Sequence, residues 1–308
     1  MALKIKVGTY AGTGSAQSIS GLGFAMNSGS HTMLIIKGGA NIAQVGTSEM
    51  GSTKMQDITG ATPTTGRLSS YDADGFTLGT DAKVNASGTT YYYLAITDTT
   101  GTSFRTGTYA GNSSGPRAFT GLGYSPDFLG IWDDLGDTGG YRTSSMATDS
   151  YLPYSAGALL TDRVLSLDAD GFTVSFRNEV NGTGRNYYWA AMDTTSGQIK
   201  PLSYTGNGSD NRSITGVGYQ PDISIVKDGA ANAAAIRFKD EVGDNSFLAT
   251  ATGEGANIIQ AFESDGFQVG TAANVNTNTN TYYSLNLKNT SAAAASPTPL
   301  RMMMGMGS

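Results

Sequence analysis

The sequence contains no cysteine, so neither disulfides nor thiolate-ligated metals can contribute. It contains one histidine, His31. A Ser-His-Asp triad would therefore have a single possible base, and a histidine-built metal centre would lack ligands. Charged residues are also scarce, at 14% of 308 residues, where soluble domains carry roughly 25%. No run of five basic residues occurs and the net charge is −6. A phosphate-backbone binder needs clustered Lys and Arg, so nucleic acid is not an expected partner. No apolar stretch approaches the length of about 18 residues that reads as a membrane span. The opening Met1-Ala2-Leu3-Lys4-Ile5-Lys6-Val7 alternates instead of forming the apolar run of a secretory leader. The expectation is a protein made and kept in a cytoplasm, or released by lysis.

In place of charge the chain has 42 glycines and long stretches of Ser, Thr, Asn and Ala, with 39% hydrophobic residues to build cores. Gly and Asn tolerate the positive φ of tight hairpin turns, which suits many short strands. Uncharged surfaces also suit packing against other subunits, because each buried charge would need a partner.

Three markers recur in one order. A Gly-hydrophobic-Gly-aromatic step stands at Gly21-Leu22-Gly23-Phe24, Gly121-Leu122-Gly123-Tyr124 and Gly216-Val217-Gly218-Tyr219. Asp-Gly-Phe follows at Asp74-Gly75-Phe76, Asp170-Gly171-Phe172 and Asp265-Gly266-Phe267. A tyrosine pair comes last, at Tyr91-Tyr92, Tyr187-Tyr188 and Tyr282-Tyr283. Each of these phenylalanines precedes its tyrosine pair by 15 residues, and each first glycine precedes its Asp-Gly glycine by 54, 50 and 50. Fixed spacings repeated three times mark tandem copies, and a period near 95 residues is too long for a solenoid unit and right for a small domain.

Short β-type runs bounded by Gly or Asp fill each copy, and no window of a dozen residues shows a helical period. The expected fold is all-β, with three tandem sandwiches of jelly-roll or lectin type. Their expected extents are 1–100, 101–198 and 199–290, followed by a linker and methionine-rich tail over 291–308. Methionine adapts to irregular apolar grooves, so the tail is a candidate for docking into a neighbouring subunit, as against a frayed terminus.

The strand after each tyrosine pair is informative because side chains alternate faces. One face carries Tyr92/Leu94/Ile96, Tyr188/Ala190/Met192 and Tyr283/Leu285/Leu287, apolar in every copy, and reads as the core side. The other carries Tyr91/Tyr93/Ala95 and Tyr187/Trp189/Ala191, but Tyr282/Ser284/Asn286 in copy three. In a two-layer sandwich that second face is the outer one, presenting aromatic patches for an interface or a sugar platform. Copy two adds Trp132, Tyr141, Tyr151 and Tyr154 between its markers, the aromatic anchors typical of binding loops. The candidate interface is thus Tyr91, Tyr93, Trp132, Tyr141, Tyr151, Tyr154, Tyr187 and Trp189, with assembly expected to cover Tyr93 and Trp189 by another chain or domain.

No catalytic pattern emerges. His31 sits in a Ser-Gly-Ser-His-Thr turn without a nucleophile elbow and reads as a surface residue. Carboxylate-pair hydrolysis needs only two acids, but most acids lie in turn contexts. Asp72-Ala73-Asp74-Gly75 and Asp168-Ala169-Asp170-Gly171 superficially suggest a calcium loop, yet their glycine comes fourth, where an EF-hand places it sixth between helices. The Gly-x-Gly step lacks the third glycine and crossover helix of a dinucleotide site and reads as a bulge or close backbone approach within a strand. Neither cofactor nor metal is expected, and the chain reads as a non-enzyme.

Copy three, from Tyr204-Thr205-Gly206-Asn207-Gly208 through Gly216-Val217-Gly218-Tyr219-Gln220-Pro221-Asp222 to Asp265-Gly266-Phe267-Gln268-Val269-Gly270, resembles a Gly/Asn/Thr-rich repeat domain of tailed-phage virion structural proteins. Copy two keeps Ser125-Pro126-Asp127, whereas copy one has Ala25-Met26-Asn27 there. The resemblance implies a virion protein with lectin-like sandwiches, assembled in the host cytoplasm, but no particular position on the particle. The expected role is a surface decoration or fibre-type component of a phage particle. Its expected partners are further copies of itself and other virion proteins, with a host surface glycan as a further candidate. The alternative is a carbohydrate-binding adhesin or receptor-binding fibre, and a glycan hydrolase is a third class.

Overall fold

The structure, a computed structural model, describes residues 3–27 and 31–290, so the methionine-rich tail lies outside the described residues. It is nearly all β, with three four-residue helices, Ala82–Asn85, Asn178–Asn181 and Ala273–Asn276. All strand pairings are antiparallel.

The same topology occurs three times. In the first unit a large sheet runs in the order Lys4–Ala11, Thr90–Asp98, His31–Gly38, Gln44–Thr47, Lys54–Asp57, Thr64–Thr65. A small sheet runs Gln17–Ser20, Gly75–Leu78, Leu68–Asp72. The second unit repeats this order with six and three strands between Phe104 and Met192, the third with five and three between Ile199 and Leu287. In every unit the last strand lies between the first strand and the third, so the tyrosine-pair strand occupies the interior of the large sheet.

Each unit has its own sandwich core. In the first it joins Tyr10, Leu34, Ile36, Tyr91, Tyr93 and Ala95 of the large sheet to Leu68, Tyr71, Phe76 and Leu78 of the small one. Equivalent cores hold Phe172, Val174 and Tyr187 in the second unit, and Phe267, Val269 and Tyr282 in the third. A fourth core is shared by all three units. It contains Ile5, Met33, Leu94 and Ile96 from the first, Phe128, Tyr141, Ala190 and Met192 from the second, and Ile223, Ile236, Leu285 and Leu287 from the third.

Both faces of each large sheet are therefore covered, and the outer-face reading is corrected. The Tyr91/Tyr93/Ala95 face packs on its own small sheet, and the opposite Tyr92/Leu94/Ile96 face meets the other two units. A strand covered on both sides is buried at nearly every position and carries a continuous apolar run, which is the pattern of His31–Gly38 with Met33 to Ile36 and of Thr90–Asp98 with Tyr91 to Ile96.

A circuit of backbone hydrogen bonds closes the three units on one another. Ala43 N–H donates to Ala249 O (3.0 Å), Ala249 N–H to Ala234 O (2.8 Å) and Ala234 N–H to Tyr154 O (3.1 Å). Tyr154 N–H then donates to Gly139 O (3.1 Å), Gly139 N–H to Thr59 O (3.1 Å), and Ile58 N–H back to Ala43 O (2.7 Å). Steps within a unit alternate with steps between units, so the chain forms a pseudo-threefold ring.

Candidate functional site

The repeated markers converge. In each unit the aspartate of Asp-Gly-Phe reaches across to the Gly-x-Gly step. Asp74 accepts the N–H groups of Gly21 (3.0 Å) and Gly23 (2.7 Å). Asp170 accepts those of Gly121 (2.9 Å) and Gly123 (2.6 Å), and Asp265 those of Gly216 (3.1 Å) and Gly218 (2.6 Å). The glycines are not a strand bulge. They form a loop just after a strand, with φ between 77° and 97°, a region costly for side-chain-bearing residues. A loop of N–H groups turned on a carboxylate is a small anion nest whose anion is built in. The glycine of Asp-Gly-Phe has a different reason. A Cβ at Gly75, Gly171 or Gly266 would lie within 2.0 Å of the carbonyl of Ile19, Phe119 or Ile214 on the paired strand. These glycines occupy equivalent turns, opposite Ser20, Thr120 and Thr215.

Asp72 and Asp168 are also engaged, accepting from Thr77 and Thr173 hydroxyls at 2.7 Å each. Among the described residues no group of three His, Cys, Asp or Glu side chains is placed to hold a metal ion.

The tyrosine pair serves each short helix. Tyr91 donates to Ala82 O (2.6 Å) and accepts from Ala86 N–H (3.0 Å). Tyr282 does the same with Ala273 O (2.7 Å) and Thr277 N–H (2.8 Å). Tyr187 takes Gly182 N–H at 2.7 Å and donates to Asn178 O. A buried asparagine closes the same helices: Asn85, Asn181 and Asn276 donate to Ser15 O (2.6 Å), Ser114 O (2.7 Å) and Ser209 O (2.6 Å). The Val-Asn step at Val84-Asn85, Val180-Asn181 and Val275-Asn276 was a fourth marker in the sequence.

None of the eight candidate interface aromatics presents an exposed ring. Tyr91, Tyr93, Tyr151 and Tyr187 are buried in sandwich cores, and Trp189 packs edge-on to Phe172 at 5.5 Å between centroids. Trp132, Tyr141 and Tyr154 pack together in the shared core, Trp132 stacked on Tyr154 and Tyr141 tilted against it. Their contacts are made inside one chain: Tyr93 and Trp189 are covered by their own units, and Trp132 joins two units. Lys37, Trp132 and Lys227 occupy one register position, opposite Tyr92, Tyr188 and Tyr283. Each reaches from its unit into the next. Lys37 donates to Thr250 O (3.2 Å) and Thr252 O (2.9 Å), Trp132 to Ile58 O (3.1 Å), and Lys227 to Gly157 O (3.0 Å). Burial pulls the Lys37 ammonium down to about 8.

His31 is not in a turn. It opens a strand at the junction of the first two units, where its Nδ1 accepts Thr106 N–H at 3.1 Å. With Met26, Asn27, Ser48, Glu49, Ser52, Ser70 and Tyr71 it lines a cavity of about 450 Å³. Glu49 accepts from Ser48 Oγ and Thr106 Oγ1, each at 3.0 Å. Ser48 is engaged by Glu49 and Thr106, and His31 by Thr106, so the serine is not paired with the imidazole as a nucleophile would be. Burial lowers the His31 pKa.

A second cavity, of about 400 Å³, belongs to the second unit and is lined by Asp137, Thr138, Arg163, Phe176, Arg177, Asn178 and Glu179. Phe176 is 47% exposed, with the Arg177 guanidinium 4.8 Å from its ring centroid. Arg163 pairs with Glu179 (2.6 Å) and Arg177 with Asp162 (2.7 Å). Burial raises the Asp137 carboxyl, against the opposing pull of Arg185. No sequence marker pointed here, because Phe176 stands where copies one and three have Thr80 and Thr271.

Residues 194–299 match the model of a domain family of unknown function (DUF7483), a span that contains every strand of the third unit. No curated protein matches the chain.

Proposed function

We propose that the chain is a non-enzymatic structural protein of a virus particle, a surface decoration or fibre-type component of a phage. The observation that carries this reading is the pseudo-threefold ring, in which the aromatic residues are spent on cohesion within and between units. Such a body is a rigid building block, and its scarcity of charge suits surfaces that pack against neighbouring proteins. The virion setting comes from the sequence resemblance. Association with further copies no longer has the aromatic faces as its basis and would use the outside of the ring. The test is immunogold labelling and mass spectrometry of purified particles, with sedimentation of the isolated chain for its oligomeric state. Absence from the particles overturns the reading.

A second reading, a carbohydrate-binding adhesin, is favoured by one observation. Among the described residues the second unit alone carries an exposed aromatic, Phe176, at the rim of a polar cavity.

A further inference from the structure

We propose that the cavity beside Phe176 is a binding site for a neutral pyranose sugar; this rests on the adhesin reading and gives it residues.

The three units differ at the place of this cavity. Arg67 in the first unit and Arg163 in the second are equivalent, since each precedes the residue (Leu68 or Val164) that pairs with the Phe-turn strand at Leu78 or Val174. Three residues beyond that partner stand Asp81 and Arg177. In the first unit the position is self-contained: Arg67 Nε pairs with Asp81 (3.3 Å), Arg67 Nη1 with Asp57 (3.3 Å), and Lys83 with Asp57 (2.7 Å). The second unit has Arg177 in place of Asp81 and Glu179 in place of Lys83. Glu179 now holds Arg163 Nη2, and Thr161 O accepts from Nη1 at 2.6 Å. Arg163 Nε is left buried with no partner. That nitrogen is closed to the cavity, and Arg142 and Arg237 carry the same partnerless nitrogen, so it is the rest of the Arg163 side chain that lines the space. The third unit has Ile258 and Ala272 at these positions and no charge at all.

The side chains lining the cavity select the ligand class. Two guanidiniums (Arg163, Arg177) and two carboxylates (Asp137, Glu179) line the cavity, so it favours neither an anion nor a cation. It offers donors and acceptors side by side, with Asn178 adding both, which matches hydroxyl groups that each donate and accept. Phe176 supplies an apolar surface at the same rim, as the C–H face of a sugar ring requires. Among the described residues the exposed large hydrophobics are Leu135, Phe176 and Val242. Two of these fall on this cavity's own loops, Phe176 in the lining and Leu135 two residues before Asp137. A volume of about 400 Å³ is within the ordinary range of small-ligand sites.

The test is an array of immobilised neutral and sialylated oligosaccharides probed with the purified full chain, followed by calorimetry on the best neutral glycan. Phe176→Ala is expected to lower affinity at least tenfold. Arg163→Lys, which keeps the charge but removes the planar guanidinium that lines the cavity beside Glu179, is expected to lower it at least fivefold. Thr80→Ala at the matching place in the first unit should change nothing, and thermal melts of all three should stay within a few degrees of the parent. Binding of acidic glycans alone, or neutral-glycan binding untouched by Phe176→Ala, overturns this site while leaving an adhesin possible through other residues. No binding of any glycan at millimolar concentration overturns both. Since the assay uses the isolated chain, its result is independent of whether the protein is found on particles.

Discussion

Gly107 stands directly opposite Trp189 on neighbouring strands, and a Cβ on Gly107 would come within 2.2 Å of the indole. The first unit repeats the pairing with Gly8 and Tyr93, where a Cβ would lie 2.6 Å from the hydroxyl. The third unit inverts it: Leu202 faces Ser284. Large and small exchange strands while the pair as a whole fills the same layer of the sandwich. The serine at 284 is thus not the loss of a recognition aromatic but half of a compensated volume swap.

From this follows the first expectation. Trp189→Ser should destabilise the protein by about 3 kcal/mol, as large-to-small core changes do. Ser284→Trp alone should overpack against Leu202, at a cost of about 1–3 kcal/mol, and Leu202→Gly in the same chain should recover much of it. Urea denaturation of the singles and the double measures the coupling. Additive effects would show that the two positions do not share a space.

Glu241 offers a sharper test. It follows the third unit's strand where the first two units place Met50 and Met146, and the methionines belong to the shared core. Its carboxyl oxygens are buried without partners, and burial pushes its pKa up to about 9, against the pull of Arg237. A raised folded pKa means a contribution that is whole below the unfolded value of 4.5 and is lost as pH rises toward 9. Stability should therefore decline across that window. Glu241→Met should remove the decline and raise stability at pH 8 by about 1–4 kcal/mol, the gain seen when buried ionic groups give way to apolar ones. Thermal melts between pH 5 and 9 on both proteins decide it.

His31 titrates in the opposite sense. Its folded pKa lies below the ordinary 6.5, chiefly through burial, and the neutral ring accepts Thr106 N–H. The unfolded chain thus binds the proton more readily, and stability present above pH 6.5 is lost as pH falls through the folded value. His31→Asn should flatten this part of the melting profile between pH 7.5 and 5. An unchanged slope would remove His31 as its source.

Asp170 is held below the ordinary carboxylate value by the N–H groups of Gly123 and Gly121. Its contribution is present above pH 3.8 and is lost on acidification through the lower folded value. Asp170→Asn should therefore weaken the acid-induced loss of stability below about pH 4. Amide exchange at Gly121 and Gly123 should quicken in the variant, and unaltered exchange at both would argue against the cap.

Much of this was legible in the residues. The markers at Gly21, Asp74 and Tyr91 and their two later copies announced three equivalent β units, because turns and caps impose residue types locally. What they joined was not legible. That Asp74 holds Gly21 and Gly23 depends on a contact across 51 to 53 residues. The faces of the tyrosine strand exchange the roles that a two-layer sandwich would give them, because the sandwich covers the Tyr91/Tyr93 side and the other units cover the Tyr92/Leu94 side. The longer marker spacing in the first copy also acquires a place. Lys37, Trp132 and Lys227 are equivalent, yet Lys37 follows Gly23 by 14 residues where Trp132 and Lys227 follow Gly123 and Gly218 by 9. Five extra residues thus fall between Phe24 and Lys37 in the sequence, and the first copy is one residue shorter between Lys37 and Gly75.

The circuit from Ala43 through Ala249, Ala234, Tyr154, Gly139 and Thr59 back to Ile58 has a consequence for how such a chain can change over time. In an association of three identical chains, any substitution appears three times and must be tolerated in all three places at once. Here each position is written separately. Trp132 can stand where its counterparts are Lys37 and Lys227, with Gly139 N–H moved to Thr59 O because the indole takes Ile58 O. Each copy is thereby released to drift on its own, and Phe176 and Glu241 are what two of them have done with that licence.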